Sequence, residues 1–184
     1  MSLKELYAKE VAPKLKEEFG YKNNMAIPKI SKVVINVGVG RFSKEKAYID
    51  NVVETVKKIT GQQPVQTKAK KSISAFKVRE GMVVGVVVTL RGQRMYDFTE
   101  KLINVTLPRV RDFRGLDMKS VDRSGNLTIG LKEHIAFPEV GADDFDKIHG
   151  LEICLTTTAE TNEKGLALFK LLGFPFKKEA KSNK

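Results

Sequence analysis

Four segments of this 184-residue chain alternate apolar with small or polar residues. That period of two constrains the fold more than any other feature, because successive side chains on an extended strand point to opposite faces. From Lys32 to Gly40, Val33, Ile35, Val37 and Val39 point one way. Lys32, Asn36, Gly38 and Gly40 point the other, with Val34. Met82 to Arg91 sets Met82, Val84, Val86, Val88 and Leu90 against Val83, Gly85, Val87, Thr89 and Arg91. Leu127 to Lys132 and Leu151 to Ala159 repeat the pattern, with Leu127, Ile129 and Leu131, then Leu151, Ile153 and Leu155, on the apolar side. A short strand is also predicted from Pro64 to Lys68.

Helical spacing fills the intervals. Leu3, Leu6, Tyr7, Val11 and Leu15 recur at helical positions, and Pro13 predicts a break into two pieces, followed by a loop from Tyr21 to Pro28. Ser43 is placed to cap a helix striped by Ile49, Val52, Val53, Val56 and Ile59 and ended by Gly61. Met95, Phe98, Leu102 and Val105 line a third helix that should stop before Pro108. Leu168, Phe169 and Leu172 mark a fourth, before Gly173 and Pro175. This order predicts an α+β fold, a mainly antiparallel sheet with helices packed on one face and long basic and acidic loops. Residues 1–176 are expected to form one domain, with the helical segment 1–28 packed on it and 177–184 as a polar tail.

The face left by the helices carries the functional signal. It collects Asn36, Gly38, Gly40, Gly85, Thr89, Arg91, Thr128, Gly130, Lys132, Thr156 and Thr158. A merely wet sheet face tends to bear long charged side chains, whereas glycine and threonine leave a shallow surface that a sugar-phosphate backbone can approach. Between two strands, Gln66 to Gly81 carries Lys68, Lys70, Lys71, Lys77 and Arg79 against the single acid Glu80, with Ser72, Ser74 and Phe76 among them. Such a cluster alone reads first as a solvated hairpin. A net charge of +11 shifts the balance toward a polyanion. Aromatic residues that would stack unpaired bases are missing from the predicted face, so recognition of a structured RNA by shape, 2′-hydroxyls and phosphates is expected.

Other chemistries fit poorly. Gly38-Val39-Gly40 follows a strand and precedes a helix, but Ser43 stands where a dinucleotide fingerprint needs a third glycine or alanine, and no acidic residue follows at the ribose position. His134 and His149, with Asp143, Asp144 and Asp146 between them, lack the spacing of a metal site and read as solvated loop residues. Cys154, the sole cysteine, reads as a small strand residue. No catalytic constellation, cofactor motif or membrane-spanning run is found. The basic loop Arg109–Gly125 and the acidic loop Glu133–Gly150 remain, the latter suited to a basic protein neighbour.

The segments GQQPVQTKAKKSISAFKVREGM, VTLRGQRMYDF, LPRVRDFRGL, HIAFPEV and LLGFPF, in this order, resemble the bacterial ribosomal protein L5 family. The resemblance runs from about Leu3 to Phe176. It implies a non-enzymatic, cytoplasmic protein, a monomer within the ribosome, whose partners are 5S rRNA, large-subunit rRNA, peptidyl-site tRNA and a small-subunit head protein. It places rRNA contacts on Asn36, Gln62 and Thr89, and the residue reading adds Gly38, Thr67, Lys68 and Arg91 as rRNA-binding candidates. The arm residues Lys70, Lys71, Ser72, Phe76, Lys77 and Arg79 would reach tRNA. Arg111, Asp112, Arg114, His134 and Glu139 are candidates for an intersubunit bridge. Three features depart from the family pattern: Val83 where proline is common, Val87 where a basic residue is common, and the segment Gly141–Phe145.

Overall fold

The computed structural model of the chain describes residues 2–140 and 148–177. Its centre is a five-stranded antiparallel sheet in the order β2-β3-β1-β5-β4, built from β1 (Ile30–Gly38), β2 (Val65–Lys68), β3 (Val83–Leu90), β4 (Leu127–Leu131) and β5 (Leu151–Thr157). The helical parts are α1 (Leu3–Leu6), α2 (Ala12–Phe19), α3 (Lys46–Thr60), α4 (Gly92–Lys101), α5 (Leu107–Arg109) and α6 (Asn162–Leu171). The α+β class and the expected strands are therefore as read, with strand ends shifted by one or two residues.

One face of the sheet makes the core. Val33, Ile35, Val37, Val86, Val88, Leu90, Leu127, Ile129, Leu131, Leu151, Ile153 and Leu155 are all buried, and they join Val52 and Val56 of α3, Phe98 of α4 and Leu168 of α6 in one apolar cluster. Burying each such side chain stabilises the fold by roughly 1.5–3 kcal/mol, which is what holds the helices to this side. α3 packs on β3 and α4 on β1, while α1 crosses α4 and α2 meets α6. Met82 and Val84, near the arm, are only half-buried.

Two helices depart from expectation in the same way. The N-terminal helix is not broken at Pro13, and the third helix does not stop at Pro108. In each a π turn, Tyr7–Val11 or Leu102–Thr106, comes just before the proline. The Ala12 N–H reaches back five residues to the Tyr7 carbonyl, and the Leu107 N–H does the same to Leu102. Proline in an α-helix clashes with the carbonyl four residues back, and the wider turn relieves this. The extra residue also rotates the apolar stripe. Val105, expected inside, is 38% exposed, and Thr106 takes the buried position.

Ser43 does not cap α3. After β1 the chain makes a tight 3-10 turn over Gly40–Phe42, fixed by the Val39 N–H to the Val84 carbonyl at 3.0 Å and by the Phe42 ring against Tyr48 at 4.6 Å. This turn delays the helix, and Glu45 occupies its cap position. The two histidines are also corrected: both are buried, not solvated. His134 and His149 stack at 4.0 Å, and the His149 backbone N–H donates to His134 Nδ1 at 3.2 Å, so the loop folds back against the ends of β4 and β5. Asp143, Asp144, Asp146, the Gly141–Phe145 departure and tail residues 178–184 lie outside the described residues.

Candidate nucleic-acid interface

Pairing register arranges the uncovered face into rows, because alternate residues of neighbouring strands stand side by side. The central row runs Val65, Val87, Asn36, Glu152 and Gly130 across all five strands. Beside it lie Thr89, Val34, Cys154 and Thr128, and on the other side Thr67, Gly85 and Gly38. Asn36 and Thr89 are half-buried between neighbouring strands, while Gly38, Thr67, Thr128 and Gly130 are exposed. No side-chain hydrogen bond engages Asn36 or the Thr89 hydroxyl among the described residues, so their polar groups remain available to a ligand.

Two of the expected contact residues, Thr67 and Asn36, converge over Gly85. A Cβ there would lie 2.7 Å from Thr67 Oγ1 and 3.6 Å from Asn36 Oδ1. Only a residue without a side chain lets the Thr67 hydroxyl reach in beside Asn36, which explains a glycine inside a run of valines. Gln62 takes a different part. Its Nε2 donates to the Thr89 carbonyl at 3.1 Å, tying the end of α3 to β3, and its amide oxygen makes no hydrogen bond among the described residues. Lys68 and Arg91 are exposed near opposite ends of β3, Lys68 paired with Val83 and Arg91 following Leu90.

Charge divides the face. Glu152 is exposed beside Asn36 and Gly130 and opposes a polyanion at that point of the β5–β4 half. The β2–β3–β1 half carries no acidic side chain in these rows and adjoins the basic arm. Val87 sits in the central row between Val65 and Asn36 and gives that row an apolar side chain.

The arm is a built hairpin. Ala69 pairs with Met82 and Gly81 through bonds of 2.8 and 3.0 Å, and Ile73 pairs with Val78 at 2.9 and 3.2 Å. The Ser72 hydroxyl accepts the Glu80 N–H at 2.9 Å. At the tip a 3-10 turn over Ser74–Phe76 ends on Lys77 in the left-handed conformation, φ 54°, and Phe76 is 75% exposed. Lys68, Lys70, Lys71, Lys77 and Arg79 are exposed, and none has an ion-pair partner among the described residues.

The expected bridge residues do not share one environment. Arg111, Asp112 and Arg114 are exposed on one turn, with Asp112 left-handed at φ 55°. That turn is held by the Leu116 N–H to the Pro175 carbonyl, 2.7 Å, and the Lys177 N–H to the Leu116 carbonyl, 2.9 Å. Glu139 instead pairs with Lys101 at 2.5 Å, and Lys101 Nζ also donates to the Ile59 carbonyl, pinning that loop to the helix layer. The His134 ring is fully buried and offers nothing to a partner's surface.

Among the described residues no group of three or more histidine, cysteine, aspartate or glutamate side chains is placed to share a metal ion, and no helix is long and apolar enough to cross a membrane. The sequence reading passed over Gly85 as a positioning residue and Lys44 beside the arm. The first has a signal in sequence, a glycine interrupting a valine strand, whereas the second has none.

Residues 23–79 match the family model for ribosomal protein L5, and residues 83–176 match that for the C-terminus of the same family. The two regions interleave in one sheet, since β1 lies between β3 and β5. The chain is 54% identical over 174 residues to the large ribosomal subunit protein uL5 of Halothermothrix orenii, covering 95% of this chain and 97% of that protein. It is 54% identical over 176 residues to the protein of the same name from Desulforapulum autotrophicum, covering 96% and 98%. With an uncovered glycine- and threonine-rich sheet face, an unpaired basic arm and this similarity along nearly its whole length, the chain belongs to the ribosomal protein L5 family, whose members are structural proteins rather than enzymes.

Proposed function

We propose that this protein is a cytoplasmic component of the large ribosomal subunit that binds 5S rRNA and attaches it to large-subunit rRNA in the central protuberance. The observation that carries this reading is the open sheet face, where Asn36, Thr67 and Gly85 form a close-approach seat beside unpaired cations. RNA sits toward the β2–β3–β1 half, away from Glu152. Asn36, Thr89 and the Gln62 amide oxygen fix register, while Lys68 and Arg91 attract phosphates. The arm, through Lys70, Lys71, Ser72, Phe76, Lys77 and Arg79, reaches peptidyl-site tRNA. The exposed turn at Arg111, Asp112 and Arg114 meets a small-subunit head protein. Residues 1–176 act as one binding unit, and the protein works as a single copy in the ribosome.

A gel-shift titration with 5S rRNA tests the seat. Asn36→Ala and Thr89→Val should each weaken binding by about 1–3 kcal/mol, roughly 5- to 150-fold, because an RNA group is left without its partner. Neutralising about six phosphates should cost roughly three decades of affinity between about 50 and 200 mM salt. Unchanged affinity in both variants would reject the seat, and a flat salt response would reject the electrostatic part.

A further inference from the structure

A groove runs between the basic arm and the turn that precedes α3. Lys44 lines it from the turn, and Ser72, Ser74, Lys77 and Arg79 line it from the arm, with Met82 among the apolar lining. We propose that this groove is a phosphate site for an RNA backbone, one that joins the arm to the body of the protein through Lys44. The inference rests on the RNA-binding reading and extends it to a residue and a surface outside the sheet face.

The composition of the groove selects its occupant. Three cations and two hydroxyls face it, and among the described residues no carboxylate lines it, although Glu45 and Glu80 are next in sequence to Lys44 and Arg79. None of the three cations has an ion-pair partner among the described residues. Like charges gathered this way repel one another, and a bound anion reverses the sign of that interaction. Ser72 Oγ already accepts the Glu80 N–H, so its own proton is free to be donated to a phosphate oxygen. Among the described residues no aromatic side chain lines the groove to sandwich a base, which favours backbone over nucleobase.

The two sides differ in how they are held. Lys44 stands on a rigid turn: the Val39 N–H bonds the Val84 carbonyl, the Glu45 N–H bonds the Phe42 carbonyl at 2.9 Å, and Phe42 packs on Tyr48. Lys77 is kept left-handed, a backbone conformation that costs a lysine of order 1 kcal/mol relative to glycine. A lysine held there despite that cost is consistent with its side chain being needed in the groove. A strand of RNA in the groove touches arm and body together and so fixes the angle at which the arm leaves the sheet.

The test uses the full chain and its Lys44→Gln, Lys44→Arg and Asn36→Ala variants. Affinities for 5S rRNA and for tRNA are measured across a salt series. Lys44→Gln should lower the salt slope by about 0.9 for at least one RNA, the value for one lost phosphate contact, and Lys44→Arg should keep it. Which RNA loses the slope identifies the strand in the groove. Asn36→Ala should weaken 5S rRNA binding at every salt concentration without changing its slope. If Lys44→Gln leaves both slopes unchanged while Asn36→Ala weakens binding, the groove inference is overturned and the seat stands. If neither variant has any effect, both fall. Loss of binding to poly-glutamate but not to RNA on Lys44→Gln would assign the groove to an acidic protein and overturn the inference.

Discussion

Alanine at position 85 offers the sharpest probe of the seat. Its methyl carbon would lie 2.7 Å from Thr67 Oγ1 but 3.5 Å from the Val37 carbonyl, so only the threonine is in the way. Oγ1 must retreat by roughly 0.7 Å to reach ordinary contact. Thr67 is exposed and lies on the edge strand β2, where such a shift meets little resistance. Overpacking at a yielding site costs about 1 kcal/mol, and alanine recovers about 0.5–1 kcal/mol over glycine within a strand. The fold should therefore melt within a few degrees of the parent. Binding should change more. Displacing the hydroxyl removes one hydrogen bond to RNA, about 1–1.5 kcal/mol or roughly 5- to 13-fold in Kd. Thr67→Ala removes the same hydroxyl directly and also removes the clash. The double variant should then bind no worse than Thr67→Ala alone, a coupling as large as either single effect. Gel-shift titrations of 5S rRNA for the three variants, with thermal melts alongside, decide the matter. Additive losses would refute the steric account, and so would unaltered binding by Gly85→Ala.

Two further perturbations test the packing beneath. At Gly165 a Cβ would come within 2.4 Å of the Gly125 Cα and 2.5 Å of its carbonyl oxygen, so α6 and the turn must part; Gly165→Ala should lose about 2 kcal/mol after the helix-propensity gain of about 1 kcal/mol, lowering the melting temperature by roughly 4–8 °C, and a higher melting temperature would refute the contact. The Tyr7 hydroxyl donates to the Pro28 carbonyl at 3.0 Å, and burial, with Tyr96 nearby, pushes its pKa up to about 12 from 10.0. The folded form resists ionisation, so this contribution is intact below pH 10 and disappears as pH rises toward 12. The side chain is only half-buried, which limits the loss to about 1 kcal/mol; parent and Tyr7→Phe should converge in stability across this window, and parallel curves would contradict it.

What could be read from the chain followed from which interactions are local. Strand faces at β1, β3, β4 and β5 depend on a period of two and on burial, both visible in residue order. The placement of Asn36, Gly38 and Thr89 on the uncovered face came from the same alternation. Helix starts and stops were harder, because they depend on backbone bonds made with distant segments. Ser43 is a good cap by composition, yet the Val39 bond to Val84 sets a different turn. His134 and His149 lie in a polar loop, and nothing nearby in sequence reveals that the chain returns to stack one ring on the other. Glu152 falls on the uncovered face by alternation with Leu151 and Ile153, but its effect on the charge of that face shows only when β5 is set next to β1. Lys44 needed the arm to fold alongside it.

The two π turns make each neighbouring proline conditional on an inserted residue. Deleting one residue between 102 and 106 would rewind that helix to ordinary pitch and drive the Pro108 ring into a carbonyl, whereas the same deletion with Pro108→Ala should leave an unbroken rod. The same pairing holds near Pro13. Insertion and imino acid thus form linked characters: either one alone is a defect, and a chain that loses one is under pressure to lose the other.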